Sequence, residues 1–440
     1  MRATKTSLTL LSAALVVCVA LFLALRFVGR TPAESAGESG YYFTNYASPE
    51  ALVAVSVENA GGEIVLARTG DTYRVLSDAP AQGDEEEIAD FFAWLCRLPL
   101  RSLVEDASAS DGQYGLTEPQ ATVLIQDGGQ GGVMFLLGGE VPGGGGVYTC
   151  LAGDERVFVM DEGYARPFLS PVDRFLDLTL YPSLEGAEIG NLKGVEVRRG
   201  GETAYRLRQV AAGEGGTAYF ALEEPWGLLL GAEPVKDALL TPLRQLEGVR
   251  ALEGDPESYG LTEESDALCL TYGDGSTVTV LVGPREGEHT AVTAAGSGLV
   301  MQVPTAGLSF MDAAAEEIMG RVLLRLNIHD VKALTVNEHV YEIANSAGQL
   351  AITRNGAACD AALFQNTLFS ALNRISIGGS LEEAAGEELL RVHVRSAIGG
   401  EEISLVFRRL DGRRCAVEIN GQTAVWCDLA AASALLDAAD

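Results

Sequence analysis

The longest apolar run lies near the start of the chain. Eighteen residues from Leu8 to Leu25 carry no charge, and only Thr9 and Ser12 among them are polar. As a helix such a run spans about 27 Å, close to the hydrocarbon thickness of a bilayer. The pattern therefore predicts a transmembrane anchor over residues 1–30, with Arg2 and Lys5 before the run and Arg26 and Arg30 after it. Basic residues on both sides leave the orientation rule nearly silent. A cleaved signal peptide is the alternative, but the run is longer than the usual h-region and Ala33 and Ala36 lie well past its end. Val16 and Val17 ahead of Cys18 make a poor lipoprotein cleavage box. Residues 31–50, with Pro32, Gly37 and Gly40 among Ser and Glu, read as a flexible stalk. Tyr41, Tyr42, Phe43 and Tyr46 fit either the headgroup level or the opening of a first strand.

Beyond the stalk, short strand-like runs alternate with three helical stripes. Ile88, Phe91, Phe92 and Leu95 recur at i, i+3, i+4 and i+7, behind Asp84 as a cap and Glu87 at the third helical position. Val235, Leu239, Leu243 and Leu246 repeat the stripe after Pro234, with Pro242 inside it predicting a kink or break. Phe364, Leu368, Leu372 and Ile375 form the third. Short strands follow at Leu103-Val104-Glu105, Ala251-Leu252-Glu253 and Ser380-Leu381-Glu382.

The chain is also self-similar. Tyr114-Gly115-Leu116-Thr117-Glu118 recurs as Tyr259-Gly260-Leu261-Thr262-Glu263, 145 residues later. The strand-like runs Val133 to Gly138 and Val278 to Gly283 keep the same offset, and Ile403 to Phe407 is a third equivalent. Asn191 to Val195 aligns with Asn327 to Val331. In the third copy the pentapeptide shrinks to Ala385-Gly386-Glu387, as a terminal repeat commonly diverges. The expectation is an α+β chain: an N-terminal transmembrane helix, then three tandem repeats of a mostly antiparallel β module with one main helix each. The modules cover residues 51–186, 187–326 and 327–440, the last divergent and shorter.

Composition narrows the partners. Against 31 basic residues stand 61 acidic ones, for a net charge of −30 over 440 residues, and none of the acidic residues falls in positions 1–30. A surface of that sign repels phosphate backbones, which sets nucleic acid aside as a partner.

Chemistry-bearing residues are scattered. His289, His329, His339 and His393 lie far apart in sequence, so no local paired-imidazole metal site exists. The six cysteines beyond Cys18 (Cys96, Cys150, Cys269, Cys359, Cys415 and Cys427) show no C-x-x-C spacing and read as free, buried thiols. Cys415 and Cys427 flank the Asn420-Gly421 turn with equal parity and face each other if the loop holds three residues. Gly138-Gly139 and Gly143 to Gly146 lack the Lys-Ser/Thr of a phosphate loop and read as a hairpin connection. Around Ser297 the first glycine of a nucleophile elbow is replaced by Ala295. The acidic clusters Asp84 to Glu87, Glu382-Glu383, Glu387-Glu388 and Glu401-Glu402 lack calcium-loop spacing. Trp94, Trp226 and Trp426 read as buried anchors, with a sugar-stacking platform as the alternative. No catalytic, cofactor-binding or metal-binding residue is assigned.

The stretch Ala221 to Leu240, then the run Leu243 to Asp255, then Ser258 to Glu264 and Val278 to Gly283 resembles the family of domain of unknown function 4340. The likeness covers most of residues 50–330 and weakens in the third copy. It implies a bacterial protein with an N-terminal membrane segment and repeated units, encoded beside ABC-transporter components of the gliding-motility type. It implies no catalytic residues. The resulting expectation is a non-enzymatic, membrane-anchored accessory protein outside the cytoplasmic membrane, partnered by an ABC-transporter permease or auxiliary subunit. A cell-envelope glycan- or peptide-binding module is the alternative, and an envelope hydrolase a third.

Overall fold

The computed structural model describes residues 40–77, 79–129, 131–184, 191–210, 219–346, 349–381, 385–398 and 400–439. Among them, antiparallel sheets dominate: one of two strands, one of eight and two of nine. No helix of the described residues is long and apolar enough to cross a membrane. The longest helices of α geometry throughout, Glu85–Leu95 and Leu429–Ala439, have 11 residues each, and the first opens on three glutamates. A crossing needs about 20 apolar residues. The expected fold, with a transmembrane helix as its first element, and the single-pass membrane location built on it are corrected accordingly. Residues 1–30, from which that expectation came, and residues 31–39 of the expected stalk lie outside the described residues.

Two compact units divide the chain. One comprises the described residues up to Leu178 with Val249–Ala251, and the other Thr179–Gly248 with Leu252 onward. In the first, Tyr41–Asn45 pairs with Arg97–Leu100 as the two-stranded sheet, with Phe43 buried. The aromatic cluster therefore opens a strand. The eight-stranded sheet places Leu52–Asn59 beside Ala121–Asp127, so strands from before and after the helix Glu85–Leu95 meet at its centre. The Asp84 carboxylate accepts from the Glu86 and Glu87 amides, satisfying donors that the first turn leaves orphaned. Ile88, Phe91, Phe92 and Leu95 are the helix's buried residues, each contributing about 1.5–3 kcal/mol.

The second unit holds the last nine-stranded sheet and all of the other except Arg250 and Ala251 of its edge strand. In the last sheet the order runs Ala357–Cys359, Gln349–Arg354, His339–Ser346, Val331–Val336, Glu387–Ser396, Glu402–Arg409, Arg414–Ile419, Gln422–Asp428, Ile377–Ser380. Residues 361–372 form the helix that leaves one edge strand and returns to the opposite edge. Nine flat strands would set those edges about 38 Å apart. A 12-residue helix reaches about 18 Å, so the sheet curls around it. Phe364, Leu368, Phe369 and Leu372 fill the inside, the Phe364 ring 5.0 Å from that of Tyr341. In the preceding sheet Val235, Leu239 and Leu240 pack likewise over Leu192, Val195, Leu207 and Phe220.

The helix at 232–244 changes to π geometry over Lys236–Leu240, just ahead of Pro242. The helix at 361–372 does the same over Gln365–Phe369, where there is no proline. The widened turn therefore belongs to this position in the fold, and Pro242 occupies a ladder already broken.

The recurring pentapeptide is a packing device. Gly112–Tyr114 and Pro256–Tyr259 are 3-10 turns closed by Gly115 at φ 66° and Gly260 at φ 74°, a left-handed conformation that glycine adopts without strain. Leu116 and Leu261 then insert into the core, 4% and 2% exposed. The Tyr114 and Tyr259 carbonyls rest against Gly138 and Gly283, where the strand has no side chain in the way. In the last sheet the roles reverse: Gly386 of the loop lies against the carbonyl of Arg409 on the strand.

Candidate functional site

Within the second unit, the connection between the two nine-stranded sheets lies against the end of the helix at 361–372. Val322 forms a bridge with Ser376, the Leu323 amide donates to the Ile375 carbonyl at 2.9 Å, and the Ile377 amide to the Arg321 carbonyl at 2.9 Å. Asn373 extends the pairing with its side chain: Oδ1 accepts from the Leu326 amide at 3.1 Å and Nδ2 donates to the Leu326 carbonyl at 2.8 Å. A second weld stands beside it. The Tyr219 hydroxyl donates to Asp330 Oδ2 at 3.0 Å and accepts from the Asn327 amide at 2.8 Å, with Asp330 fully buried. Asn420 Nδ2 reaches back to the Trp226 and Gly227 carbonyls at 2.9 and 2.8 Å.

This bracing frames an open cleft of about 600 Å³ lined by Val322, Arg325, Leu326, Asn327, Asn373 and Arg374. Leu324, Leu326 and Ile375 are buried, which turns the intervening Arg325 and the adjacent Arg374 outward. Among the described residues, no carboxylate pairs with either guanidinium. Arginine stays protonated across the physiological range, so the two guanidiniums give the lining a fixed positive charge and no general acid or base.

Other charged clusters are internally satisfied. Arg285 bridges Asp266 Oδ2 at 2.8 Å and Asp312 Oδ1 at 2.7 Å beside the second pentapeptide turn. Burial pushes the Glu196 carboxyl up, but hydrogen bonds from Arg198, Thr203 and Arg206 outweigh it and hold its pKa at about 2. Glu196 therefore remains a charged acceptor at neutral pH.

The residues singled out from sequence do not converge. Among the described residues no group of three or more His, Cys, Asp or Glu is placed to hold a metal. His393 Nε2 lies 3.8 Å from Glu402 Oε2 on an exposed sheet face. All six described cysteines are free, with Cys150, Cys415 and Cys427 buried. Cys415 pairs directly with Cys427 across the hairpin, by a route other than the expected three-residue loop. Asn420-Gly421 is a two-residue turn, and a bulge between Val417 and Glu418 supplies the extra residue. The thiol hydrogen bond between them holds the Cys415 thiol low and pushes Cys427 up. The glycine loop is tied down by Arg101, which donates to the Gly145 carbonyl and pairs with Asp161. Ser297 is exposed and accepts from the Leu299 amide at 3.2 Å. Of the acidic clusters, Glu87 pairs with Arg174, Glu388 with Arg391 and Arg408, and Glu401 with Arg208; Glu382 and Glu383 lie outside the described residues. Trp94 stacks on Phe91 and Tyr164 at 5.7 and 6.0 Å, Trp226 is buried, and Trp426 lies against Gly378.

Sequence reasoning missed Arg325 and Arg374. They stand 49 positions apart, and only the pairing of residues 321–326 with 373–377 brings them to one cleft. The one local signal is at Arg325, which stands between Leu324 and Leu326; Arg374, between Asn373 and Ile375, gives none.

No curated protein matches the chain. Residues 74–264 match the model of the family described as Domain of unknown function (DUF4340). The matched segment runs from the last strand before the helix Glu85–Leu95 to just past the second pentapeptide, so it includes both turns that rest on a strand glycine. Over that segment the chain is similar to the DUF4340 family.

Proposed function

We propose that the chain is a non-enzymatic accessory protein that binds a partner and transforms no substrate. The observation that supports it is the lining of the cleft: two outward guanidiniums beside two apolar side chains, a set suited to holding a ligand and unsuited to proton transfer or nucleophilic attack. The family resemblance implies the assembly served, an ABC-type transport complex. A peptide partner is favoured over a glycan, because the three tryptophan rings are engaged within the fold and the cleft presents no aromatic platform. The test is isolation of the full-length chain from its native source in mild detergent, with mass spectrometry of what accompanies it. A transporter permease or ATPase in near-stoichiometric amount is the expected result. A solitary chain, or one accompanied by unrelated proteins only, overturns the assignment.

A further inference from the structure

We infer that the Arg325–Arg374 cleft is a receptor for the C-terminal carboxylate of a peptide whose last side chain is apolar. The inference rests on the reading of the cleft as a binding site and names what it takes.

Charge selects the ligand class. The chain carries −30 overall, yet these two exposed arginines meet no carboxylate among the described residues. Elsewhere in the same unit, Arg206, Arg208 and Arg285 are all paired with carboxylates. Two cations facing one cleft in so acidic a molecule form a local minimum for an anion. The surrounding field repels anything bearing many negative charges, so nucleic acid and an anionic bilayer are excluded while a ligand with a single anionic group is admitted.

Geometry selects further. A guanidinium presents its donors as a planar fork that matches the two oxygens of a carboxylate. Val322, half-buried, and Leu326, 5% exposed, line the cleft beside the arginines and give it a small apolar floor. That floor is too small to bury a long acyl chain, which sets a fatty acid behind a peptide terminus. The Asn373 amide is spent on the Leu326 backbone, so it fixes the floor and leaves the charge recognition to the arginines. A volume of about 600 Å³ lies within the range of ligand sites and accommodates a few terminal residues.

The test is a library of tetrapeptides ending in each of the twenty residues. Each is made with a free C-terminal carboxylate and as the C-terminal amide, and binding to the full-length chain is measured by fluorescence anisotropy. The expected result is retention of free-acid peptides ending in Leu, Ile, Val or Phe, with the amides at least tenfold weaker. Arg325→Glu and Arg374→Glu each weaken binding tenfold or more while keeping the wild-type melting temperature, since both side chains are exposed. Arg→Lys at either position weakens it less. Retention of no peptide overturns the inference. So does equal binding of acids and amides, or unchanged binding by both charge-reversal variants. Displacement of the peptide by equimolar inorganic phosphate, or equal binding of octanoate, overturns it in favour of a generic anion or acyl site. Failure here with transporter subunits still co-purifying removes the carboxylate assignment and leaves the accessory role standing.

Discussion

Replacing Gly138 by alanine tests whether the pentapeptide turn is a packing device. The added Cβ overlaps the Tyr114 carbonyl oxygen outright and lies 3.1 Å from both Gly115 C and Leu116 Cδ2. Two relaxations are open. The turn lifts, drawing Leu116 from its cluster with Cys150 and Val157, or the strand retreats and stretches the 2.7 Å bond from the Gln120 amide to the Leu137 carbonyl. Losing half the burial of a leucine costs about 1–1.5 kcal/mol, and a weakened buried backbone hydrogen bond about 1–2 kcal/mol more. Gly138→Ala is therefore expected to destabilise its unit by about 2–4 kcal/mol. At the equivalent Gly283, the Cβ would meet the Tyr259 carbonyl at 3.1 Å, a few tenths of an ångström too close. Its cost is expected to be about 0.5–1 kcal/mol. Urea unfolding followed by tryptophan fluorescence separates the two, because Trp94 lies in the first unit and Trp226 and Trp426 in the second. Equal losses at the two glycines, or a Gly138→Ala variant within about 0.5 kcal/mol of the wild type, would refute the reasoning.

Three further outcomes are expected. The Glu196 carboxyl titrates at about 2, against an ordinary 4.5, so its stabilisation is complete above pH 4.5 and disappears as pH falls toward 2. Its partners Arg198 and Arg206 are 43% and 40% exposed, and solvent screening leaves a contribution of about 1–2 kcal/mol. Glu196→Gln should be less stable than the wild type by that amount at pH 7 and equal near pH 2; a gap independent of pH contradicts this. Tyr219→Phe takes a donor from the buried Asp330 carboxylate and an acceptor from the Asn327 amide, and should cost the second unit about 2–3 kcal/mol in urea unfolding. Unchanged unfolding would show that the weld carries no stability. Burial pushes the Cys150 thiol up to about 12, and Cys415 and Cys427 are fully buried. Among the described cysteines, alkylation of the native chain at pH 8 should reach only Cys96, Cys269 and Cys359, the other three reacting after unfolding; rapid native labelling of Cys415 or Cys427 counts against the packing.

Local features were legible in the sequence because their causes lie within a turn or two of chain. The stripe from Ile88 to Leu95 faces the core, and Asp84 caps it, since helical periodicity and capping involve neighbours at most a few positions away. The recurrence of Tyr-Gly-Leu-Thr-Glu pointed to a repeated local structure, although the reason for its glycine emerged only with the strand glycine beneath the tyrosine carbonyl. The Cys415–Cys427 pairing was half legible: parity allowed it, while the bulge that produces it depends on how the hairpin twists within its sheet.

The sequence by itself determined the strand-rich pattern, the apolar helix faces and the excess of acidic over basic residues, because composition and periodicity act through burial and charge wherever the chain goes. Only the tertiary structure decided which strands neighbour one another, how the sheets curl around their helices and how the two nine-stranded sheets are welded through Tyr219 and Asp330. The cleft belongs wholly to this second class. Arg325 and Arg374 share it because residues 321–326 pair with 373–377. A pairing between segments about fifty positions apart is selected by the energy of the whole packed unit, after the loop-closure entropy between them has been overcome, and no short window of sequence records that sum.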